Sequence, residues 1–214
     1  MKDIAIYGAG GFGREMACLI NRINNEVAPT WNVIGFFDDG QPCGASNEYG
    51  KVLGGIEELN NWPTPINLVF AIGSPKTVAK LYSKITKANI DYPNIIAPDT
   101  VFLDRDNVRM GQGNVICSRC IISCNVDIGD FNTFNGYITV GHDARIGNFN
   151  SFMPDVKISG GVVIGERNFM GVGSIILQYL SVGKDTTIGA GAVVIRNAKD
   201  GKTYVGNPAK KIEF

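Results

Sequence analysis

The chain offers little for metal or multi-histidine chemistry: in 214 residues it has one histidine, His142, and five cysteines. Charge of one sign is also missing. Twenty Lys+Arg balance 20 Asp+Glu, the formal net charge is +0, and no basic stripe marks a nucleic-acid footprint. No apolar run approaches the roughly 20 residues that span a bilayer, so no membrane segment is expected. The amino end runs straight into a strand at Asp3–Tyr7, so no signal peptide is expected either. Those absences point to the cytoplasm, where thiols stay reduced. Cys117, Cys120 and Cys124 lie close together, yet no histidine or fourth cysteine adjoins them to complete a four-ligand zinc site. They are expected as small packing or corner residues, and no metal is expected.

What the chain does have is a period. From Met110 through Ile116, Ile122, Ile128 and Phe134 to Val194, every sixth residue is apolar. Gly111, Gly129, Gly147, Gly165 and Gly183 recur every eighteenth residue, as do Asn114, Asn132, Asn150, Asn168 and Thr186. Neither 3.6 nor 3.5 fits, which excludes an amphipathic helix and a coiled coil. Three hexapeptides then make one turn of a three-sided solenoid, with one inward apolar residue per side. The glycines are expected at corners, where a positive φ or a close backbone approach is needed. The asparagines are expected to stack as a ladder in which each hydrogen-bonds its own turn, in a conformation that Asn tolerates. From Val108 to Asn197 the register holds about five coils, roughly 24 Å of prism at one strand spacing per coil.

The first half reads differently. Asp3–Tyr7 leads into Gly8-Ala9-Gly10-Gly11-Phe12-Gly13, and Arg14 to Asn24 follows with helical spacing. A strand, a glycine turn and a helix start make an anion cradle from backbone N–H groups and the helix dipole. Val33–Phe37 is expected as a second strand ending at Asp38-Asp39, where a carboxylate commonly meets a ribose hydroxyl or a base edge. Leu68–Ile72 is a third, followed by Gly73-Ser74 and a helix over Thr77–Ala88, and Ile90–Ile96 is expected to close the sheet. The expected fold is a small Rossmann-like α/β parallel-sheet domain over 1–97, then a parallel β-helix domain with a tail over 98–214. The first unit has room for about one mononucleotide-binding half, which favours a nucleotide-linked substrate over NAD. Gly10, Gly11, Phe12, Asp38, Asp39, Gly73 and Ser74 are the candidate substrate contacts.

His142 falls two residues past the inward Val140, near a corner, with Gly160 eighteen residues on and Cys124 eighteen back. An imidazole there can act as a general base, with Asp143 beside it as a candidate orienting group. The repeat resembles that of the hexapeptide-repeat acyltransferases, which implies a left-handed β-helix. The whole chain is similar to the sugar-nucleotide N-acetyltransferases and sialic acid O-acetyltransferases of bacterial surface-glycan synthesis, the bacillosamine-pathway enzyme among them. The likeness rests on the Gly8–Gly13 loop, Gly35-Phe36-Phe37-Asp38-Asp39, Gly141-His142-Asp143 and the tail Val205-Gly206-Asn207-Pro208-Ala209-Lys210.

That resemblance implies acetyl-CoA as co-substrate, a sugar nucleotide held by the N-terminal domain, and a homotrimer with active sites between subunits. It makes His142 the base and the Gly160 N–H a candidate oxyanion donor. It puts Ser151, Val172 and Ala190 at positions that touch CoA, with Lys210 and Lys211 toward its phosphates. Two positions depart from the pattern. Ser151 stands where many relatives have a second histidine, and Phe12 where they often have a histidine or another polar residue. Three functions stay open: N-acetylation of a nucleotide-activated amino sugar, O-acetylation of sialic acid or another sugar hydroxyl, and a non-catalytic trimeric sugar-nucleotide-binding scaffold. A solenoid carbonic anhydrase is excluded, because one histidine cannot supply the roughly three that its zinc needs.

Overall fold

A computed structural model of the chain describes residues 1–212. Its first unit is a sheet of β1 (Lys2–Tyr7), β2 (Trp31–Phe37), β3 (Ser46–Asn47), β4 (Gly50–Gly54), β5 (Ile66–Phe70) and β6 (Ile90–Asp91). The strand order is β3-β4-β2-β1-β5-β6. All pairs are parallel except β3 with β4. Ile4, Ala5, Ile6 and Tyr7 of β1 are all buried, as a parallel strand covered on both faces must be.

One cover is α1 (Gly11–Glu26), which turns Met16, Ala17, Leu19 and Ile20 inward. Its entry depends on Gly13, where a Cβ would lie 1.9 Å from the Gly8 carbonyl oxygen. Only glycine lets the helix start that close to the strand it follows. The other cover includes α2 (Ile56–Asn60) and α3 (Pro75–Lys84). Ser74 caps α3 by accepting from the Thr77 N–H, and Pro75 occupies the first turn, where no donor is missed.

Sequence reasoning overlooked β3, β4 and α2, which are short and carry no extended periodicity. It also expected one strand over Ile90–Ile96. Instead Ile90–Asp91 closes the sheet, whereas Ile95–Ile96 pairs with Val115–Ile116 and forms the first rung of the prism. That first coil escaped the fixed register because Leu103 and the 3-10 turn Arg105–Asn107 lengthen it before Val108–Met110.

The prism has three parallel faces. The first stacks Ile95–Ile96, Val115–Ile116, Thr133–Phe134, Ser151–Phe152, Phe169–Met170, Thr187–Ile188 and Thr203–Val205. The second runs from Val101–Phe102 to Val193–Val194, and the third from Val108–Met110 to Ser181–Val182. The sixth-residue series fills the interior: Ile116 to Val194 are buried throughout, and Met110 packs on the core from the open end. Cys120 joins that core, which pushes its thiol up to about 11.

The asparagines form a ladder, with a correction to its geometry. Each side-chain carbonyl accepts from the N–H of the next member, Asn132 to Asn114, Asn150 to Asn132, Asn168 to Asn150 and Thr186 to Asn168, at 2.8 to 2.9 Å. Each of these side-chain oxygens therefore bonds the coil above it. The left-handed residue is the one before the asparagine: Phe131, Phe149, Arg167 and Asp185 have φ of 55° to 57°.

Phe131 and Phe149 lie off the inward register of the prism, on its outside. The chain covers them itself. They stack on each other at 5.2 Å and meet Tyr82, while Phe131 also meets Phe70 and Tyr92. This aromatic patch docks the N-terminal unit on the first face, together with Ile95 and Val115 packed near Met16 and Ile20. No helix among the described residues is long and apolar enough to cross a membrane.

Asn150 is 1 % exposed, and its amide also donates to the Gly165 carbonyl at 2.9 Å. Asn150→Ala leaves that carbonyl and the Asn168 N–H without partners. It is expected to destabilise the fold by about 1–3 kcal/mol in urea unfolding.

Candidate active site

His142 sits at the corner between the second and third faces, between Thr139–Val140 and Arg145–Ile146. The side chains of His142 and Asp143 are 52% and 51% exposed. Adjacent residues in extended chain point apart, but Asp143 has φ 59°, and this left-handed turn folds its carboxylate back. Asp143 Oδ2 lies 2.7 Å from His142 Nδ1. The imidazole contact, and then an amide from Asn125, hold the Asp143 carboxyl below the usual carboxylate range. With Nδ1 committed to the carboxylate as a donor, Nε2 carries the lone pair.

Nε2 faces Gly160. A Cβ on Gly160 would lie 2.5 Å from Nε2 and 2.6 Å from Cε1, so glycine there makes room for the ring itself. The imidazole thus rests on the Gly160 backbone. The Gly160 N–H has no protein acceptor among the described residues, which leaves a donor beside the imidazole. An imidazole with a lone pair and an unpaired N–H on adjacent coils are groups that can serve proton transfer and charge stabilisation.

The N-terminal candidates gather at the carboxyl edge of the sheet. Gly10 and Gly11 have nothing within 4 Å of a built Cβ, so their backbone faces open space at the start of α1. Phe12 packs against the interdomain core. Asp38 and Asp39 first serve the fold. Asp38 accepts from the Ala9 N–H at 2.7 Å and the Gly40 N–H at 2.8 Å. Asp39 accepts from the Tyr7 hydroxyl at 2.7 Å and the Ile56 N–H at 3.0 Å. Burial, and then the Asp39 carboxylate, push the Tyr7 phenol far above its ordinary value. Both aspartates line a cavity of about 290 Å³ with Tyr7, Gly8, Ile72 and Thr77.

Gly73 and Ser74 line a second cavity, of about 460 Å³, between the start of α3 and the prism. Its far wall is Met153, Arg167, Phe169, Asp185 and Thr187. Arg167 grips Asp185 with two hydrogen bonds of 2.9 Å, and this pairing keeps the Asp185 carboxyl below its usual range. Sequence reasoning missed this wall. Opposite charges eighteen residues apart were the available signal.

The remaining candidates are dispersed. Ser151 is 2% exposed, on the first face beneath the N-terminal unit. Val172 and Ala190 are exposed at the corner between the first and second faces, one prism side away from His142. Lys210 and Lys211 lie on the terminal strand Lys210–Ile212. Of the other cysteines, Cys117 is drawn into the domain interface, which pushes its thiol up to about 12, and Cys124 is exposed. No group of three or more His, Cys, Asp or Glu among the described residues could hold a metal ion.

A left-handed β-helix joined to an α/β unit with a glycine-rich loop is the architecture that this chain shares with CoA-dependent acyltransferases. Residues 3–85 match the PglD N-terminal domain family. WeeI from Acinetobacter baumannii AYE is 30% identical over 99% of this chain and 100% of that one, with a TM-score of 0.88. A variant of perosamine N-acetyltransferase from Caulobacter crescentus, solved with CoA and GDP-perosamine, is 27% identical over 100% and 98%, with a TM-score of 0.88. The acetyltransferase domain of PglB from Neisseria gonorrhoeae FA1090, solved with acetyl coenzyme A, is 28% identical over 99% of each chain, with a TM-score of 0.87. No curated protein sequence matches. The chain belongs to the sugar acyltransferase family of the bacillosamine type.

The packing of His142 on Gly160 is testable. Gly160→Ala must displace the imidazole. Turnover is expected to fall roughly 10- to 100-fold, with an unchanged melting curve.

Proposed function

We propose that the protein transfers the acetyl group of acetyl-CoA to the amino group of a nucleotide-activated sugar, with His142 as the general base. The observation that carries this reading is the corner itself: an imidazole oriented through Nδ1 by Asp143, its Nε2 against Gly160, and a free Gly160 N–H. The relatives support the substrate classes, one solved with CoA and GDP-perosamine and another with acetyl coenzyme A.

In the proposed reaction the sugar amine attacks the thioester carbonyl while Nε2 takes its proton. The new N–C bond places negative charge on the carbonyl oxygen, which the Gly160 N–H stabilises. Collapse of the tetrahedral intermediate breaks the C–S bond and releases the CoA thiol, to which the imidazolium returns the proton. Gly10, Gly11, Asp38, Asp39, Gly73 and Ser74 are the proposed contacts to the nucleotide sugar, with Phe12 packed behind the loop. Val172, Ala190 and Ser151 are the proposed contacts along CoA. The proposed setting is bacterial surface-glycan synthesis in the cytoplasm.

We infer a homotrimer with its sites between subunits. His142 and Gly160 occupy one corner of the prism, Val172 and Ala190 another, and Ala9 and Phe12 of the glycine loop pack on the cluster that includes Ile95 and Val115 of the first face. A second chain packed corner to corner would unite these groups. Tyr137, Val163, Leu177, Tyr179 and Ile195 leave exposed apolar surface on the prism, which such packing would bury. Sedimentation is expected to give three times the 23.0 kDa chain mass, and a stable monomer at micromolar concentration would sink this inference.

The chemical reading is tested with a panel of UDP-, dTDP- and GDP-linked amino sugars plus acetyl-CoA, following thiol release. General-base assistance contributes roughly 10² to 10⁴ in rate, and no second histidine can replace the first. His142→Ala is therefore expected to lower turnover by that range while acetyl-CoA binding, followed by calorimetry, persists. Near-wild-type turnover of His142→Ala would rule out the mechanism. Transfer to sugar hydroxyls alone would favour O-acetylation, and no transfer to any sugar would favour the scaffold.

A further inference from the structure

The Asp143 carboxylate is held at both oxygens. Oδ2 meets His142 Nδ1 at 2.7 Å, and Oδ1 accepts from the side-chain amide of Asn125, one coil below. Asn125, Asp143 and Gly161 form a column at eighteen-residue spacing, all in the left-handed region with φ of 54°, 59° and 65°. Stacked turns of one conformation point their side chains the same way, which is how an amide on one coil reaches a carboxylate on the next.

Asn125 is itself fixed. Arg145 Nη1 donates to its backbone carbonyl oxygen at 2.8 Å, while Arg145 Nε pairs with Asp127 at 3.0 Å. Arg109 holds the other oxygen of Asp127 at 2.6 Å. The third face thus carries a charged ladder that ends on the Asn125 backbone.

We propose that Asn125 is a positioning residue for the catalytic base: it locks Asp143 so that only one tautomer of His142 is populated, the one with hydrogen on Nδ1 and a free lone pair on Nε2 beside Gly160. The chemistry of the amide suits the task. It donates to the carboxylate, carries no charge and has no titratable proton to exchange with the imidazole. A rotating carboxylate would lose the Nδ1–H bond for part of the time, and the ring could then turn or change tautomer. The depressed Asp143 carboxyl, drawn down first by His142 and then by Asn125, is consistent with this arrangement. The inference rests on His142 being the base, as proposed above.

His142 is the only histidine in the chain, so its imidazole nitrogens can be read in a ¹⁵N-labelled sample without ambiguity. At a pH where the ring is neutral, the wild type is expected to show the Nδ1–H tautomer as the dominant form. Asn125→Gly is the clean substitution, because glycine keeps the φ of 54° while removing the amide. It is expected to raise the share of the other tautomer and to lower kcat roughly three- to tenfold, the scale of one ordinary net hydrogen bond. KM for acetyl-CoA and for the sugar nucleotide should stay unchanged. Asn125→Asp keeps the size but sets a second carboxylate against Asp143, and it is expected to lose more.

An Asn125→Gly protein with the wild-type tautomer and kcat overturns the proposal. So does a loss of kcat in which both KM values rise and the melting temperature falls, since that reports a merely structural role. The tautomer measurement needs no substrate. If His142→Ala retained turnover, the general-base reading would fall on its own, and the ¹⁵N spectra of Asn125→Gly would still decide whether Asn125 sets the ring.

Discussion

Backbone hydrogen bonds between residues of neighbouring coils carry this structure. Thr133 donates to the Asn150 carbonyl, Ser151 to that of Asn168 and Phe169 to that of Thr186, each bond joining one coil to the next. Because the same ladder runs up all three faces, residues eighteen apart lie one strand spacing from each other. A parallel strand bonded on both sides has no freedom to slip unless its neighbours slip too. Every column of side chains inherits that constraint, and the columns do the separate jobs of the protein.

Three columns show how far one rule reaches. In the corner between the third and first faces, the asparagine ladder seals the interior and satisfies buried N–H groups. The residue just before each asparagine points outward in the left-handed conformation, and its identity changes along the column. Phe131 and Phe149 make the aromatic patch that receives the N-terminal unit, whereas Arg167 and Asp185, higher up, become the polar wall of the cavity facing Gly73 and Ser74. In the corner between the second and third faces, the same conformation turns Asp143 onto His142. One backbone geometry, repeated, supplies a docking surface, a pocket wall and an oriented imidazole.

The N-terminal unit has the complementary construction. Its glycine loop is shaped by contacts at the strand ends, where Asp38 and Asp39 hold Ala9, Gly40, Tyr7 and Ile56. The aromatic patch then fixes this sheet edge over the upper coils of the first face, so α3 begins opposite Phe169 and Thr187. Sheet edge and prism are thereby joined into one wall. His142 stays at a different corner of the same chain.

By itself the sequence determined the parts built by repetition. Periods of six and eighteen specify a prism because a closed three-sided coil is the packing that buries one residue in six and stacks one in eighteen. The strand, glycine turn and helix from Asp3 to Asn24 were equally legible, since each step has its own local signal. Tertiary structure alone decided the rest. The insertion in the first coil hid Ile95–Ile96 from the register, and the short β3, β4 and α2 carried no period to read. Nothing in the spacing of Phe131 and Phe149 reveals that Tyr82 and Tyr92 cover this patch. Asp143 was legible as a neighbour of His142, but its reach to Nδ1 depends on a left-handed φ set by the stacked turns. Periodicity reports contacts that recur. A contact made once, between two different elements, leaves no period in the chain and exists only when the whole molecule is assembled.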